Sequence, residues 1–224
     1  MPARIATLLV ALSLAAAAWA ADVLLVEDWS KVPLGAKGIP DGWKGDQVWG
    51  DPKHDFTILE NDGHRVLHLR SQDESSTITK ELKGKWRLKD TPILEWSWKA
   101  VALPKGADSR HKRTDDQAAQ LYVVWPRFPK ELRSRLIGYV WDTTAPAGLI
   151  VPSEKTSMVT YVIVRSGPAE LGKWLTERRN VVEDFKKIYG EEPDNPGAIS
   201  IAIDSDDTKS TAEAYFGAIS FKKP

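Results

Sequence analysis

Cysteine is missing from this 224-residue chain. Its absence excludes a disulfide scaffold and any thiolate metal site, and leaves the core alone to hold the fold. An excess of charge of one sign is missing too, since 31 Lys and Arg face 31 Asp and Glu. Nucleic-acid binding calls for a net basic stripe, so no nucleic-acid partner is expected. Beyond the first twenty residues no apolar run is long enough to cross a bilayer, and no membrane span is expected. Histidine is scarce, with four in all. His64 and His68 form the one close pair, but in a strand they share a face at about 13 Å, too far apart to grip one ion. No Glu follows His64, so the H-E-x-x-H zinc pattern is absent. The G-x-S-x-G nucleophile elbow does not occur. S-x-x-K occurs at Ser109 to Lys112, without the S-D-N and K-T-G motifs that accompany it in acyl-transfer enzymes.

What is present begins with a leader. Arg4, the apolar residues 5–18 and Ala18-Trp19-Ala20 follow the secretory pattern, with cleavage expected after Ala20. Ala21 stands where a lipoprotein would carry its anchoring Cys. The expected localisation is therefore periplasmic or secreted, from a bacterial cell. The remaining residues, 21–224, are enough for one domain with a well-buried core, and no linker or internal repeat divides them.

The stretch from Thr91 to Trp125 organises the rest. Leu94, Trp96, Trp98 and Ala100 alternate with Glu95, Ser97 and Lys99, the period of two that marks a half-buried antiparallel strand. After a charged connection comes a second, more apolar strand ending at Trp125. Similar runs at 23–29, 56–60, 65–70, 76–82, 136–141, 158–165, 198–204 and 212–221 bring the count to roughly ten strands. Asn61-Asp62-Gly63 predicts a hairpin between two of them. One helix is expected: Val181, Val182, Phe185, Ile188 and Tyr189 form a single apolar stripe, with Thr176 as its cap, Glu177 in its first turn and Gly190 and Pro193 as its stop. Many short strands and one amphipathic helix predict an all-β fold, an antiparallel β-sandwich of jelly-roll type, with an up-and-down barrel as the alternative.

Three constellations bear on chemistry. Asp204, Asp206 and Asp207 place hard oxygen ligands close together, as a structural calcium requires. Lys209 and Tyr215 stand where an EF-hand needs Gly and Glu, and a solvated turn in which Asp and Ser bond their own backbone is the competing reading. Asp115 and Asp116 are adjacent and point to opposite faces of a strand, so glycosidic hydrolysis would need a partner across the fold, such as Glu95, Glu183 or Asp204, at about 5–9 Å. No catalytic residue is assigned.

The third constellation is aromatic. Ten tryptophans, Trp19 in the leader among them, are many for this length. Sugars stack apolar C–H faces on such rings while their hydroxyls seek carboxylates, amides and guanidinium groups. Trp96 and Trp98 read as core, Trp125 and Trp141 sit at strand ends where rims lie, and Trp43, Trp49 and Trp86 sit in loop-like contexts where exposure would mark contact. Arg165 closes an apolar run and is placed either in a buried ion pair with Asp115 or Asp116 or at a solvated strand exit. The candidate ligand-binding set is Arg110, Asp115, Asp116, Trp141 and Arg165.

LEWSWKA, TDDQAAQLYVVW, YVW, VIVRSG, W-x-x-E-R-R-N-V-x-x-D-F and the terminal IDSDDT with AYFGAISF resemble the bacterial DUF3047 family over about Glu27 to Phe221. That resemblance implies a sandwich and brings no activity or catalytic residues with it. The opening EDW and closing AYFGAISF are also similar to the first and last strands of galactose-binding-like jelly rolls, many of which bind carbohydrate and many of which hold a structural calcium. Ala218 stands where those domains often carry an acid, which counts against calcium at that position. Three functions follow for comparison. The first is an exported, non-catalytic sandwich binding a saccharide or similar polar ligand. The second is an envelope structural or protein-interaction domain with an envelope protein partner, and the third is a polysaccharide-active enzyme with paired carboxylates.

Overall fold

A computed structural model describes residues 23–46, 52–84 and 86–224. The expected leader with its cleavage site, and Trp49, lie outside the described residues. Among those described, the strands are β1 (Val23–Glu27), β2 (Lys44–Asp46), β3 (Asp55–Asn61), β4 (His64–Gln72), β5 (Ser75–Glu81), β6 (Ile93–Ala102) and β7 (Ala119–Trp125). After a short helical turn, α1 (Lys130–Arg133), come β8 (Arg135–Asp142), β9 (Ile150–Pro152), β10 (Val159–Ser166) and β11 (Leu175–Asn180). Helix α2 (Val181–Tyr189) and strands β12 (Ala198–Asp204) and β13 (Thr211–Lys222) complete the chain.

The strands form two sheets. One runs β11-β6-β13-β4-β3, with β1 also on β13, and the other runs β2-β5-β12-β7-β8-β10-β9. Neither closes on itself, so the architecture is the sandwich and not the barrel. One pairing departs from the antiparallel rule: β8 and β10 run parallel, because the chain between them returns through a long connection carrying β9.

Strand β6 shows why the sheets face each other as they do. Leu94, Trp96, Trp98 and Ala100 are fully buried, while Glu95 and Ser97 face outward, half-buried. The inward rings meet the opposite sheet, Trp96 against Tyr139 at 5.3 Å and Trp98 against Trp141 at 6.0 Å between centroids. Aromatic contacts of this kind add about 0.5–1.5 kcal/mol each beyond the area they bury. The β3–β4 hairpin turns at Asp62 and Gly63, whose φ angles of 53° and 77° are the paired positive values a two-residue turn needs.

Helix α2 carries the expected stripe inward, with Val181 and Phe185 buried and the Phe185 ring tilted against Trp125 at 4.6 Å between centroids. Its cap differs from expectation. Asn180, not Thr176, accepts the backbone N–H groups of Val182 and Glu183. Thr176 and Glu177 lie instead in β11, where their backbone completes the edge of β6. Unpaired strand edges leave N–H and C=O groups open, and the gain from pairing them outweighs extending the helix by a turn. Among the described residues no helix is long and apolar enough to cross a membrane.

Candidate ligand-binding site

In β7, Leu121 and Val123 point into the core, so Gln120 and Tyr122 point out of the second sheet. Tyr122 stands opposite Gly138 of β8, and Gly138 stands opposite Tyr161 of β10. Three neighbouring strands thus present Tyr, Gly and Tyr in one row. A Cβ on Gly138 would lie 2.7 Å from one Tyr122 ring carbon and 3.1 Å from one Tyr161 ring carbon. The missing side chain is what lets both rings close over the middle strand. Around them Val140, Val159, Ile163 and Ala202 form a small second apolar cluster, which Leu149 and Val151 from the β8–β10 connection cover.

This outer face holds a cavity of about 360 Å³. Tyr122 and Tyr161 line it beside Gln120, Leu136 and Val159, with Ser75, Thr77 and Ser200 from β5 and β12. Asp115, Ser153, Lys155, Thr156 and Lys112, with Asp204, Asp206 and Asp207, complete the wall. The Tyr122 hydroxyl donates to Gln120 Oε1.

Asp115 is 2% exposed. Its Oδ1 accepts from the Gln117 amide at 2.7 Å, and its Oδ2 accepts from the Tyr161 hydroxyl at 3.1 Å and the Ser153 hydroxyl at 3.2 Å. Burial pushes its pKa up to about 6, against the lowering effect of the Gln117 bond and the Lys155 charge. The Lys155 ammonium bonds the Asp207 carboxylate and lies 3.4 Å from the Asp115 carbonyl oxygen. Burial disfavours its charge, but the Asp207 bond and the nearby Asp204 outweigh that and raise its pKa. Asp204 is pushed up by burial and by the charges of Asp206 and Asp116, with Lys155 opposing.

The residues singled out in the sequence scatter. Asp115 lines the cavity, as do Asp204, Asp206 and Asp207. Asp116 turns the other way: fully buried, it accepts the N–H groups of Asp207 and Thr208 at 3.2 and 2.7 Å and the Thr208 hydroxyl, and so anchors the turn after β12. Oxygens of Asp116, Asp204 and Asp206 lie within 4.8 Å of one another, whereas Asp207 is engaged by Lys155.

Arg110 grips Asp108 on its own loop with bonds of 2.8 and 2.6 Å, and holds that carboxyl at about 2. Trp141 is 1% exposed, because its register shares the inward face of Tyr139, and its indole N–H donates to the Gly167 carbonyl at 3.1 Å. Arg165 joins neither Asp115 nor Asp116. It bonds Glu177 at 2.7 Å and Glu170 at 2.8 Å, and so ties β10 of one sheet to β11 of the other. Arg110, Trp141 and Arg165 are therefore outside the cavity wall.

The loop-like context of Trp43 does not expose it. It is buried, stacked on Trp29 at 5.5 Å and bonded to Glu27. Trp86 is half-buried against Phe221. The cavity's aromatic groups are the tyrosines, which sequence reasoning passed over with Gln120 and Lys155. The available signal was the outward phase of β7, where Gln120 and Tyr122 alternate with Leu121 and Val123.

Fold and cavity define the class, a β-sandwich of jelly-roll type with a polar, tyrosine-lined cavity on one outer sheet face. The chain belongs to the family described as protein of unknown function (DUF3047), whose model matches residues 41–220. A search of curated proteins finds no match. Among solved structures, the chain is similar to the family 11 carbohydrate-binding module from Clostridium thermocellum in complex with a β-1,3-1,4-mixed-linked tetrasaccharide. The identity is 9% and the TM-score 0.45, with 90% of this chain and 95% of that one covered. It is similar to the family 30 carbohydrate-binding module of a Clostridium thermocellum cellulosomal cellulase at 10% identity and a TM-score of 0.46, covering 90% and 97%. It is also similar to the xyloglucanase domain of NopAA, a type three effector from Sinorhizobium fredii, in complex with cellobiose. There the identity is 12% and the TM-score 0.44, covering 88% and 99%.

Proposed function

We propose that this chain is an exported, non-catalytic saccharide-binding protein whose ligand occupies the cavity on the outer face of the seven-stranded sheet. The observation that carries the reading is the Tyr122–Gly138–Tyr161 row set inside a ring of convergent polar side chains. Tyr122 and Tyr161, 9% and 6% exposed, floor the cavity with aromatic carbon for the apolar face of a sugar, and Asp115, Gln120 and Ser153 give its hydroxyls donors and acceptors. Export follows from the leader pattern of residues 1–20, and a mature N-terminus at Ala21 in the periplasmic or extracellular fraction is the expected result.

The test is calorimetric titration and thermal shift with a panel of plant and envelope glycans. A ligand at a hundred times its dissociation constant adds about 2.7 kcal/mol to stability, and Tyr161→Ala removes that gain. Failure of every glycan to bind refutes the reading. The same series tests a structural calcium on the oxygens of Asp116, Asp204 and Asp206: a melting temperature lowered by EDTA and restored by calcium supports it, and an unchanged one refutes it.

One observation favours hydrolysis as a second reading. Asp115 and Asp204 line the same cavity and both are raised by burial, the state a general acid needs. Release of reducing ends from a bound glycan, abolished by Asp115→Asn, would establish it. Binding without release leaves the module reading in place.

A further inference from the structure

The cavity has a charge pattern that its aromatic floor does not explain. Asp115, Asp204, Asp206 and Asp207 face it, against Lys112 and Lys155. Four carboxyl groups face two ammonium groups there although the chain as a whole is balanced, and Asp204, whose burial favours its protonated form, adds a neutral oxygen acceptor to the wall. Moreover, one of those ammonium groups is already held as a ligand would be. Lys155 Nζ is seated on the Asp207 carboxylate and the Asp115 carbonyl oxygen, with the Asp204 carboxyl close enough to act on its charge. Its side chain is 24% exposed, and both Lys155 and Asp207 line the cavity. The chain therefore displays what this wall coordinates: a primary ammonium held by oxygens, in a cavity that two tyrosines also line.

We infer that the cavity selects amine-bearing saccharides, sugars with a free amino group beside a stackable ring, over their neutral counterparts, and rejects uronates and sulfated sugars. The inference rests on the saccharide-binding reading above and names its ligand class. A sugar ring on Tyr122 and Tyr161 brings its substituents against the acidic wall. There an ammonium finds Asp206 and Asp207 with the Asp204 carboxyl as a further oxygen acceptor, whereas a carboxylate or sulfate meets like charge in a partly dehydrated setting where screening is weak. Lys155 is then a tethered competitor for the ammonium seat. Removing its charge frees the seat, and removing the carboxylate of Asp207 dismantles it.

The experiment compares oligosaccharides of one length and linkage by titration calorimetry on the intact protein: a β-1,4-linked glucosamine oligomer, its N-acetylated form, the corresponding cello-oligomer and a 6-carboxylated cello-oligomer. The expected result is binding of the amine at least about tenfold tighter than the cello-oligomer, with no detectable binding of the carboxylated one. The advantage should shrink as ionic strength rises from about 0.02 to about 0.5 M. Lys155→Gln tightens amine binding, and Asp207→Asn weakens it by a larger factor than it weakens binding of the neutral oligomer. Asp206→Asn serves if Asp207→Asn fails to fold. If the neutral oligomer binds within twofold of the amine and Tyr161→Ala abolishes both, the selectivity is overturned while the saccharide site stands. If no oligomer binds, both readings fall. Weaker amine binding by Lys155→Gln also overturns the inference, because it makes Lys155 a ligand contact and not a competitor.

Discussion

Replacing Gly138 with Ala adds a single methyl group, and the structure says where it goes. The new Cβ would lie 2.7 Å from a Tyr122 ring carbon and 3.1 Å from a Tyr161 ring carbon, well inside ordinary contact. Both rings must move outward. Tyr122 then gives up its bond to Gln120, and Tyr161 its 3.1 Å bond to Asp115. Overpacking of this kind costs about 1–3 kcal/mol. Ala recovers about 0.5–1 kcal/mol of the backbone entropy that Gly loses in a strand. The net destabilisation expected is about 1–2 kcal/mol, a fall of about 2–8 °C in melting temperature for a domain of this size. Near-ultraviolet circular dichroism or tyrosine ring NMR shifts report the displaced rings without any ligand, and titration with whichever saccharide binds should show an affinity loss of at least about tenfold. An unchanged melting temperature together with unchanged tyrosine signals would refute the claim that Gly138 sets the cavity floor.

Three further outcomes follow from the same geometry. Asp115 has a folded pKa of about 6 against an ordinary 3.8, so the native state holds its proton more tightly than the unfolded chain, and this group's contribution falls as pH rises from about 4 to about 6.5. The loss amounts to up to about 3 kcal/mol, and Asp115→Asn should remove it, giving a wild-type-minus-variant stability difference that slopes down across that window. Parallel pH curves for the two proteins would contradict this. Among the described residues, Arg165→Ala leaves buried Glu177 with the Trp98 indole as its one side-chain partner, and should cost about 3 kcal/mol by urea denaturation without altering saccharide affinity. A midpoint within error of wild type would count against the inter-sheet tie. Asn180→Ala should cost about 1 kcal/mol as the lost cap of α2, and Asn180→Asp should restore most of it. Thr176→Ala, at the position the sequence pattern suggested, should leave the helix cap intact.

What the sequence reveals and what it hides divide along one physical line. Features fixed by local geometry were legible. The alternation around Trp96 and Trp98 buries one face because a strand has only two, and Asp62-Gly63 turns because few dipeptides tolerate two positive φ angles. The stripe from Val181 to Tyr189 coils because its period is helical. Thr176 and Asn180 are both acceptable caps, and the choice between them belongs to the edge of β6, which takes residues 175–180 as a strand from 77 residues away at Trp98–Leu175 to 87 at Ile93–Asn180.

Asp115, Asp204, Asp206 and Asp207 of the cavity wall were legible, but its tyrosine floor lies on the hidden side of that line. Tyr122, Gly138 and Tyr161 come from three strands, and only the register between them makes a row. That register includes a parallel pairing, which no turn announces, because the connection between β8 and β10 is long. Residue type misled for the same reason. Trp141 ends its strand, as a rim residue would, yet it shares its phase with Tyr139 and points to the core. Tyr122 sits inside an apolar run, as a core residue would, yet its phase is that of Gln120. Aromatic content alone therefore did not locate the cavity. The phase of each strand relative to its neighbours did, and a single glycine in the middle strand, conspicuous only once its two neighbours are known, is what turns that phase into a cavity.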